Sequence, residues 1–189
     1  MFIQTEETPN PATLKFIPED IILLEKDTAE FKNVQQAKEQ SPLAYELFKI
    51  KGVSAIFFGR NFITVTKENT VDWKIIKPEI LASLMDFFLS KQPIMHQINN
   101  SADQDDSQDS EIVKQIKELI EIKVRPSVAM DGGDIIYRGF EDGIVKLQLK
   151  GSCSGCPSST ITLKNGIENM LKHYIPEVEG VEQIMEDEE

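Results

Sequence analysis

A stretch of polar and acidic residues near the middle of the chain limits what the protein can fold into. Residues 99–109 carry four aspartates, no basic residue and a single apolar side chain, Ala102. Such a segment cannot bury enough apolar surface to offset the entropy lost on ordering, so we expect a flexible acidic linker over 98–110. The predicted parts of the chain are an α+β domain over 1–97, this linker, a second small α+β domain over 111–185 and an acidic tail over 186–189.

The composition excludes several classes of protein. The 189 residues include 20 Lys and Arg against 32 Asp and Glu, a formal net charge of −12. This charge repels phosphate backbones, so nucleic acid is not an expected partner. No stretch approaches the roughly 18 consecutive apolar residues of a membrane helix, so we expect no membrane association. Two cysteines are too few to staple a small secreted fold, which indicates an intracellular protein.

The N-terminus has no signal or transit character. Met1–Glu7 is acidic and lacks both a basic start and a long apolar run. We therefore expect the protein in the cytoplasm of a bacterium, or in the mitochondrial matrix if a presequence has been removed.

The first domain is predicted to alternate strands and helices. Residues 12–17 have the composition of a short strand, and Ser41–Pro42 is typical of a helix N-cap followed by proline. Residues 53–58 and 62–66 are rich in β-branched and aromatic side chains and flank a glycine turn, which predicts a hairpin. Residues 72–90 return to helical spacing. This domain has no cysteine, and its only histidine, His96, is interpreted as a surface residue.

The second domain is predicted to run helix, strand, strand, helix, strand. Ser110 is expected to cap the first helix, and Pro126 with the turn Asp131–Asp134 is expected to end it. We interpret this turn as a tight connector that needs glycine flexibility. The remaining predicted elements are strands over 135–140 and 145–150, a helix over 158–174 and a strand over 178–184.

Both cysteines lie in one short loop, as Cys153-Ser-Gly-Cys156-Pro157. Pro157 is typical of a first helical position, which places Cys156 beside a helix N-terminus that favours a negative sulfur. Because the loop is small and polar, we expect two thiolates exposed at the surface. The alternative, two buried cysteines acting as small apolar side chains, fits poorly with a loop of glycine and serine.

Two thiolates make half of a metal site. Iron–sulfur clusters and structural zinc normally take four protein ligands, and His173 lies about 25 Å of regular helix beyond Cys156. The site therefore requires Cys153 and Cys156 from each of two chains, on a two-fold axis. The residues leave three functions open: a cluster carrier, a zinc-bridged structural dimer and a thiol–disulfide oxidoreductase. The last is disfavoured because proline follows the second cysteine instead of lying between the two.

Several of these stretches resemble one known family. Three stretches resemble the C-terminal domain of the NifU/Nfu iron–sulfur proteins: Asp131–Asp134, Leu149–Ser159 and Val178–Val181. Other stretches resemble the N-terminal domain of Nfu proteins: Thr8–Phe16, Ser41–Ala44, Phe62–Lys67, and Trp73 with Lys77–Ile80. The resemblance covers nearly the whole chain except the linker and tail, and it includes no further scaffold or ferredoxin-like domain.

The resemblance implies an iron–sulfur cluster carrier that is not an enzyme. Family members hold a [4Fe–4S] cluster between the C-x-x-C motifs of two subunits, and Cys153 and Cys156 match those ligands; [2Fe–2S] is the second cluster type to consider. The implied partners are a second copy of the chain, an upstream scaffold as cluster donor and apo iron–sulfur proteins as recipients. The N-terminal domain is interpreted as a recognition module for such partners.

Overall fold

The computed structural model describes residues 2–25, 27–96, 110–154 and 157–184, with backbone only for 157–160. The chain divides into two compact units, Met1–Asn100 and Ser101–Glu189, and each contains helices and its own β-sheet. The expected α+β class is confirmed. Of the predicted linker all but Ser110 lies outside the described residues, as does the predicted tail, so the domain boundaries stay predictions.

The first unit is built on a five-stranded antiparallel sheet in the order β1-β2-β5-β4-β3. Its strands are β1 (Ile3–Glu7), β2 (Thr13–Pro18), β3 (Ala29–Phe31), β4 (Val53–Phe58) and β5 (Ile63–Lys67). The predicted hairpin is confirmed, since β4 pairs with β5 and the Gly59 N–H donates to the Phe62 carbonyl at 2.9 Å.

Three helices complete the first unit: α1 (Val34–Gln40), α2 (Pro42–Phe48) and α3 (Trp73–Ser90). Ser41 caps α2 as predicted, because its hydroxyl accepts the Ala44 N–H at 3.1 Å. The same hydroxyl donates to the Ile94 carbonyl at 2.5 Å and so ties the chain after α3 to the start of α2. The buried side chains of α3 are Ile76, Ile80, Leu84 and Phe87, which join the core formed with the sheet.

The second unit follows the predicted order of elements. Its helices are α4 (Glu111–Leu119), α5 (Arg125–Met130) and α6 (Pro157–Tyr174), and its strands are β6 (Gly133–Glu141), β7 (Ile144–Gly151) and β8 (Gly180–Gln183). The sheet order is β6-β7-β8, with β7 antiparallel to β6 and parallel to β8. Ser110 caps α4 by accepting the Val113 N–H at 3.4 Å.

The turn at Asp131 follows the last helix before β6 as predicted, but the expectation that Pro126 also ends the helical path is wrong. Between α4 and α5 the helix widens into a π-helical turn, in which the Arg125 N–H donates to the Ile120 carbonyl five residues back. A wider turn accommodates the proline ring and its missing N–H, so the helical path continues past Pro126 to Met130. None of the helices in the described part of the chain is both long and apolar enough to cross a membrane.

Candidate functional site

The loop between β7 and α6 holds the first predicted ligand, Cys153. Gly151 turns the chain with a φ of +70°, and the Ser154 N–H and hydroxyl both donate to the Gly151 carbonyl, at 3.2 and 2.9 Å. Cys153 is 4% exposed and belongs to the same buried cluster as Ile135 and Leu149. The thiol therefore lies against the core of the second unit.

The expectation of a surface-exposed Cys153 is wrong, and hydrogen bonds to the turn before β6 explain why. The Ser152 N–H donates to the Gly132 carbonyl at 3.2 Å, and the buried Ser152 hydroxyl donates to the Asp131 carbonyl. These two bonds hold the loop down on the sheet, so the next residue, Cys153, points its sulfur inward. The polar composition of the loop serves this attachment as well as solvent contact.

Two successive glycines shape the surface beneath the cysteine. Gly132 has a φ of +82°, so the predicted need for glycine flexibility in this turn is confirmed. Gly133 acts through space instead: a Cβ there would lie 3.0 Å from the Cys153 Sγ and 2.5 Å from the Lys150 carbonyl oxygen. The absence of a side chain at Gly133 thus lets the cysteine loop approach the strand.

A half-buried ion pair between Arg125 and Asp134 fixes the start of β6, and sequence reasoning did not identify it. Asp134 is 2% exposed and accepts from Arg125 Nε at 2.8 Å and Nη2 at 3.2 Å, while its Oδ1 also accepts the Ile135 N–H at 2.8 Å. Arg125 donates from Nη1 to Glu121 at 2.6 Å. The hydrogen bond that Arg125 donates to the Asp134 carboxylate raises the pKa of Arg125 well above its ordinary value, although partial burial opposes this shift. The pair joins α5 to the strand that carries Gly133.

The other predicted site residues are placed as follows. Cys156 lies outside the described residues, and α6 begins at the next residue, Pro157, as predicted. His96 and His173 are both exposed, which confirms them as surface residues. Within the described residues, no group of three or more His, Cys, Asp or Glu side chains is arranged to hold a metal ion.

The second unit is therefore a small α+β fold, and its sequence carries a C-x-x-C motif between strand β7 and helix α6. The protein family described as "Scaffold protein Nfu/NifU N terminal" matches residues 3–92 of this chain. The family described as "NifU-like domain" matches residues 116–182. The chain belongs to the Nfu family of NifU-like scaffold proteins, and the resemblance stated from the sequence is confirmed.

Two sequence relatives agree with this assignment. The human protein named "NFU1 iron-sulfur cluster scaffold homolog, mitochondrial" is 57% identical over 189 residues, covering 100% of this chain and 74% of the relative. The Drosophila willistoni protein of the same name is 50% identical over 188 residues, covering 99% of this chain and 65% of the relative. This chain therefore spans less than two thirds of the Drosophila protein. A solution NMR structure of a NifU-like protein from Saccharomyces cerevisiae is 29% identical, covers 52% of this chain and 87% of its own, and has a TM-score of 0.46.

Proposed function

We propose that this chain carries an iron–sulfur cluster, held as [4Fe–4S] between Cys153 and Cys156 of two copies, and passes it to apo-proteins. The observation that carries the proposal is the C-x-x-C loop, which contains both cysteines of a chain that belongs to a scaffold family. The human and Drosophila relatives are named as iron–sulfur cluster scaffolds, which supports the same cargo for this chain.

The number of ligands leads to the proposed dimer. A cubane cluster takes four thiolates, and this chain has two cysteines, so two chains supply the complete set. A cluster shared in this way lies on the two-fold axis of a symmetric pair. Neither chain alone encloses the cluster, which suits a carrier that must give it up.

The buried position of Cys153 adds a step to this proposal. A thiol that is 4% exposed cannot bond iron shared with a second chain, so its side chain must turn outward when the cluster arrives. The bonds from Ser152 to Asp131 and Gly132 are the ones that hold it inward. We infer that binding of the cluster requires this thiol to turn from its buried position to the surface.

Transfer proceeds by exchange of ligands and needs no catalytic group. Thiolates of the recipient replace Cys153 and Cys156 on the iron atoms in turn, and each displaced cysteine takes up a proton that the incoming thiol has lost. The cluster changes its protein without a change in its own composition. We therefore assign no enzymatic activity to the chain.

The partners and location follow from the same proposal. An upstream scaffold donates the cluster, apo iron–sulfur proteins receive it, and the N-terminal unit acts as a recognition module for these proteins. The relatives carry the word mitochondrial in their names, which favours the mitochondrial matrix over the bacterial cytoplasm as the location.

Anaerobic reconstitution with iron and sulfide tests the proposal. We expect about four iron and four sulfide per two chains, with the absorption and Mössbauer spectra of one cubane cluster. Cys153→Ser and Cys156→Ser should each abolish stable binding, whereas Ser154→Ala, a change in the same loop that removes no sulfur ligand, should retain it. Zinc binding without a brown chromophore would favour the zinc-bridged dimer, and insulin reduction with a thiol donor would favour the oxidoreductase.

A further inference from the structure

Helix α3 of the first unit has two apolar faces, and among the described residues only one of these faces is buried against the rest of the unit. Its inner face packs on the sheet through the four buried side chains described above. On the opposite side lie five exposed apolar residues, here called the outer stripe: Ile75, Pro78, Ala82, Met85 and Leu89. The exposed fractions of Ile75 and Leu89 are 63% and 72%. An ordinary surface helix carries polar residues at these positions.

The spacing of the outer stripe is that of a helix-pairing seam. Successive members are separated by three, four, three and four residues, which is the alternation of the a and d positions of a heptad repeat. In this repeat Ile75, Ala82 and Leu89 occupy a, and Pro78 and Met85 occupy d. The seam extends about 21 Å along the helix at 1.5 Å per residue.

Charged residues beside the outer stripe indicate which helix fits it. Lys74 is exposed at a g position on one edge, and Glu79 and Asp86 are exposed at e positions on the other. In a parallel pair of helices, a g residue faces the e residue five positions further along the partner helix. Lys74 and Glu79 have this separation, so two copies of α3 in parallel form two Lys–Glu pairs. An antiparallel pair would instead bring the acidic edges together.

We propose that the outer stripe binds the outer stripe of a second copy of this chain, with the two α3 helices parallel and in register. Five side chains are few beside the about 20–30 residues per side of a standard interface, so the contact is weak when it acts alone. The role of this weak contact rests on the proposed function, in which two chains already meet at a shared cluster. Two weak contacts within one pair of chains strengthen each other.

Disulfide trapping tests the arrangement without any contribution from the cluster. In the Cys153→Ser/Cys156→Ser background, Ile75→Cys and Leu89→Cys are made separately and oxidised mildly. Parallel pairing in register predicts that each variant cross-links to itself, because equivalent a positions face each other within disulfide reach. Lys38→Cys, at an exposed position on α1, is the control and should remain monomeric. A cross-link formed only on mixing Ile75→Cys with Leu89→Cys would indicate antiparallel helices and overturn the proposal.

Exchanging the charges of Lys74 and Glu79 tests more directly whether the partner is a second copy of this chain. Sedimentation of the same cysteine-free background is followed from micromolar to about millimolar concentration, where weak dimers form. Lys74→Glu should raise the dimer dissociation constant at least about fivefold, because it creates two like-charge contacts. The double variant Lys74→Glu/Glu79→Lys should restore it to within about twofold.

A protein that stays monomeric at every concentration and forms no self-cross-link would overturn the proposal. The outer stripe would then bind a different protein or the second unit of the chain. Since the background holds no cluster ligand, this failure would not bear on cluster carriage. Loss of cluster binding by the parent chain would contradict the proposed function and leave the cross-linking result standing.

Discussion

Gly133 and Cys153 lie so close together that a side chain on Gly133 would press against the cysteine sulfur. A Cβ on Gly133 would lie 3.0 Å from the Cys153 Sγ and 2.5 Å from the Lys150 carbonyl oxygen, and real Cβ atoms essentially never come within 3.0 Å of another group. The first residue of β6 therefore determines how deeply the cysteine loop can settle on the sheet, and the two parts of the site depend on each other.

Replacing Gly133 by alanine should damage both the fold and the site. The methyl group must displace a backbone carbonyl, so we expect a loss of about 1–3 kcal/mol in the free energy of unfolding. We also expect weaker cluster binding, because the loop that carries Cys153 must move. Urea unfolding and iron content after reconstitution measure the two effects.

Gly166 provides the matched control for this change. It lies inside α6, and a Cβ there would meet nothing within 4 Å. Gly166→Ala should stabilise the chain by up to about 1 kcal/mol, since alanine is the better helix former. Equal destabilisation by both alanines would contradict the steric role of Gly133.

Removing the Ser152 hydroxyl should uncover Cys153. Ser152→Ala deletes the hydrogen bond to the Asp131 carbonyl, and a bond of this kind is worth about 1 kcal/mol, which corresponds to an approximately fivefold change in the population of an opened loop. In a Cys156→Ser background, the rate of alkylation of Cys153 should rise by about this factor.

The control for this measurement is Ser154→Ala, because the Ser154 hydroxyl donates to Gly151 within the loop and does not reach the Asp131 turn. If Cys153 reacts as fast in the parent background as in the Ser152 variant, the thiol is not covered and the proposed opening step is wrong.

Neutralising Asp134 should destabilise the second unit. Asp134→Asn weakens two hydrogen bonds from Arg125, and bonds to charged groups are worth about 1.5–3 kcal/mol. Glu121→Gln alters the exposed side of the same arginine and should cost less than about 1 kcal/mol. Thermal or urea unfolding of the two variants gives the comparison, and a larger loss from Glu121→Gln would refute the importance of the pair between Arg125 and Asp134.

The pH dependence of stability should contain a contribution from Glu168. Hydrogen bonds from Lys172, first, and from the Val181 N–H lower the pKa of this carboxyl below its ordinary value. A carboxyl with a lowered folded-state pKa stabilises the fold above its unfolded-state pKa, and the effect is lost as the pH falls through the folded-state value. Glu168→Gln should therefore be less stable than the parent at pH 7, and the difference should disappear in acid. A difference that stays constant with pH would show that the charge of Glu168 is not involved.

Local patterns were sufficient to predict much of the fold. Ser41 followed by proline marked the start of α2, and the β-branched and aromatic runs around Gly59 marked the hairpin, because capping and pairing depend on neighbouring residues. Strand β3 has three residues, too few for a periodic signal. Strand β1 has mainly polar side chains, because it lies at the edge of the sheet and buries only Ile3. These two strands, together with α1, were not predicted.

Cys153 and Cys156 stay the predicted ligands of the candidate site, whereas the geometry around Cys153 was not predicted. The position of Cys153 after a strand and before a helix was readable from the sequence. Its burial was not, because it results from contacts with the distant turn Asp131–Gly133. The pairing of Asp134 with Arg125 was missed for a related reason: it depends on the helix continuing past Pro126, where the sequence favours a break.

Sharing of one cluster by two chains fixes the mass of the loaded protein, so native mass spectrometry after reconstitution can detect it without further assumptions. We expect a dimer whose mass exceeds that of two chains by one [4Fe–4S] unit, and chains without this added mass in the Cys153→Ser variant. A single chain that retains iron and sulfide in the absence of added thiol would contradict it.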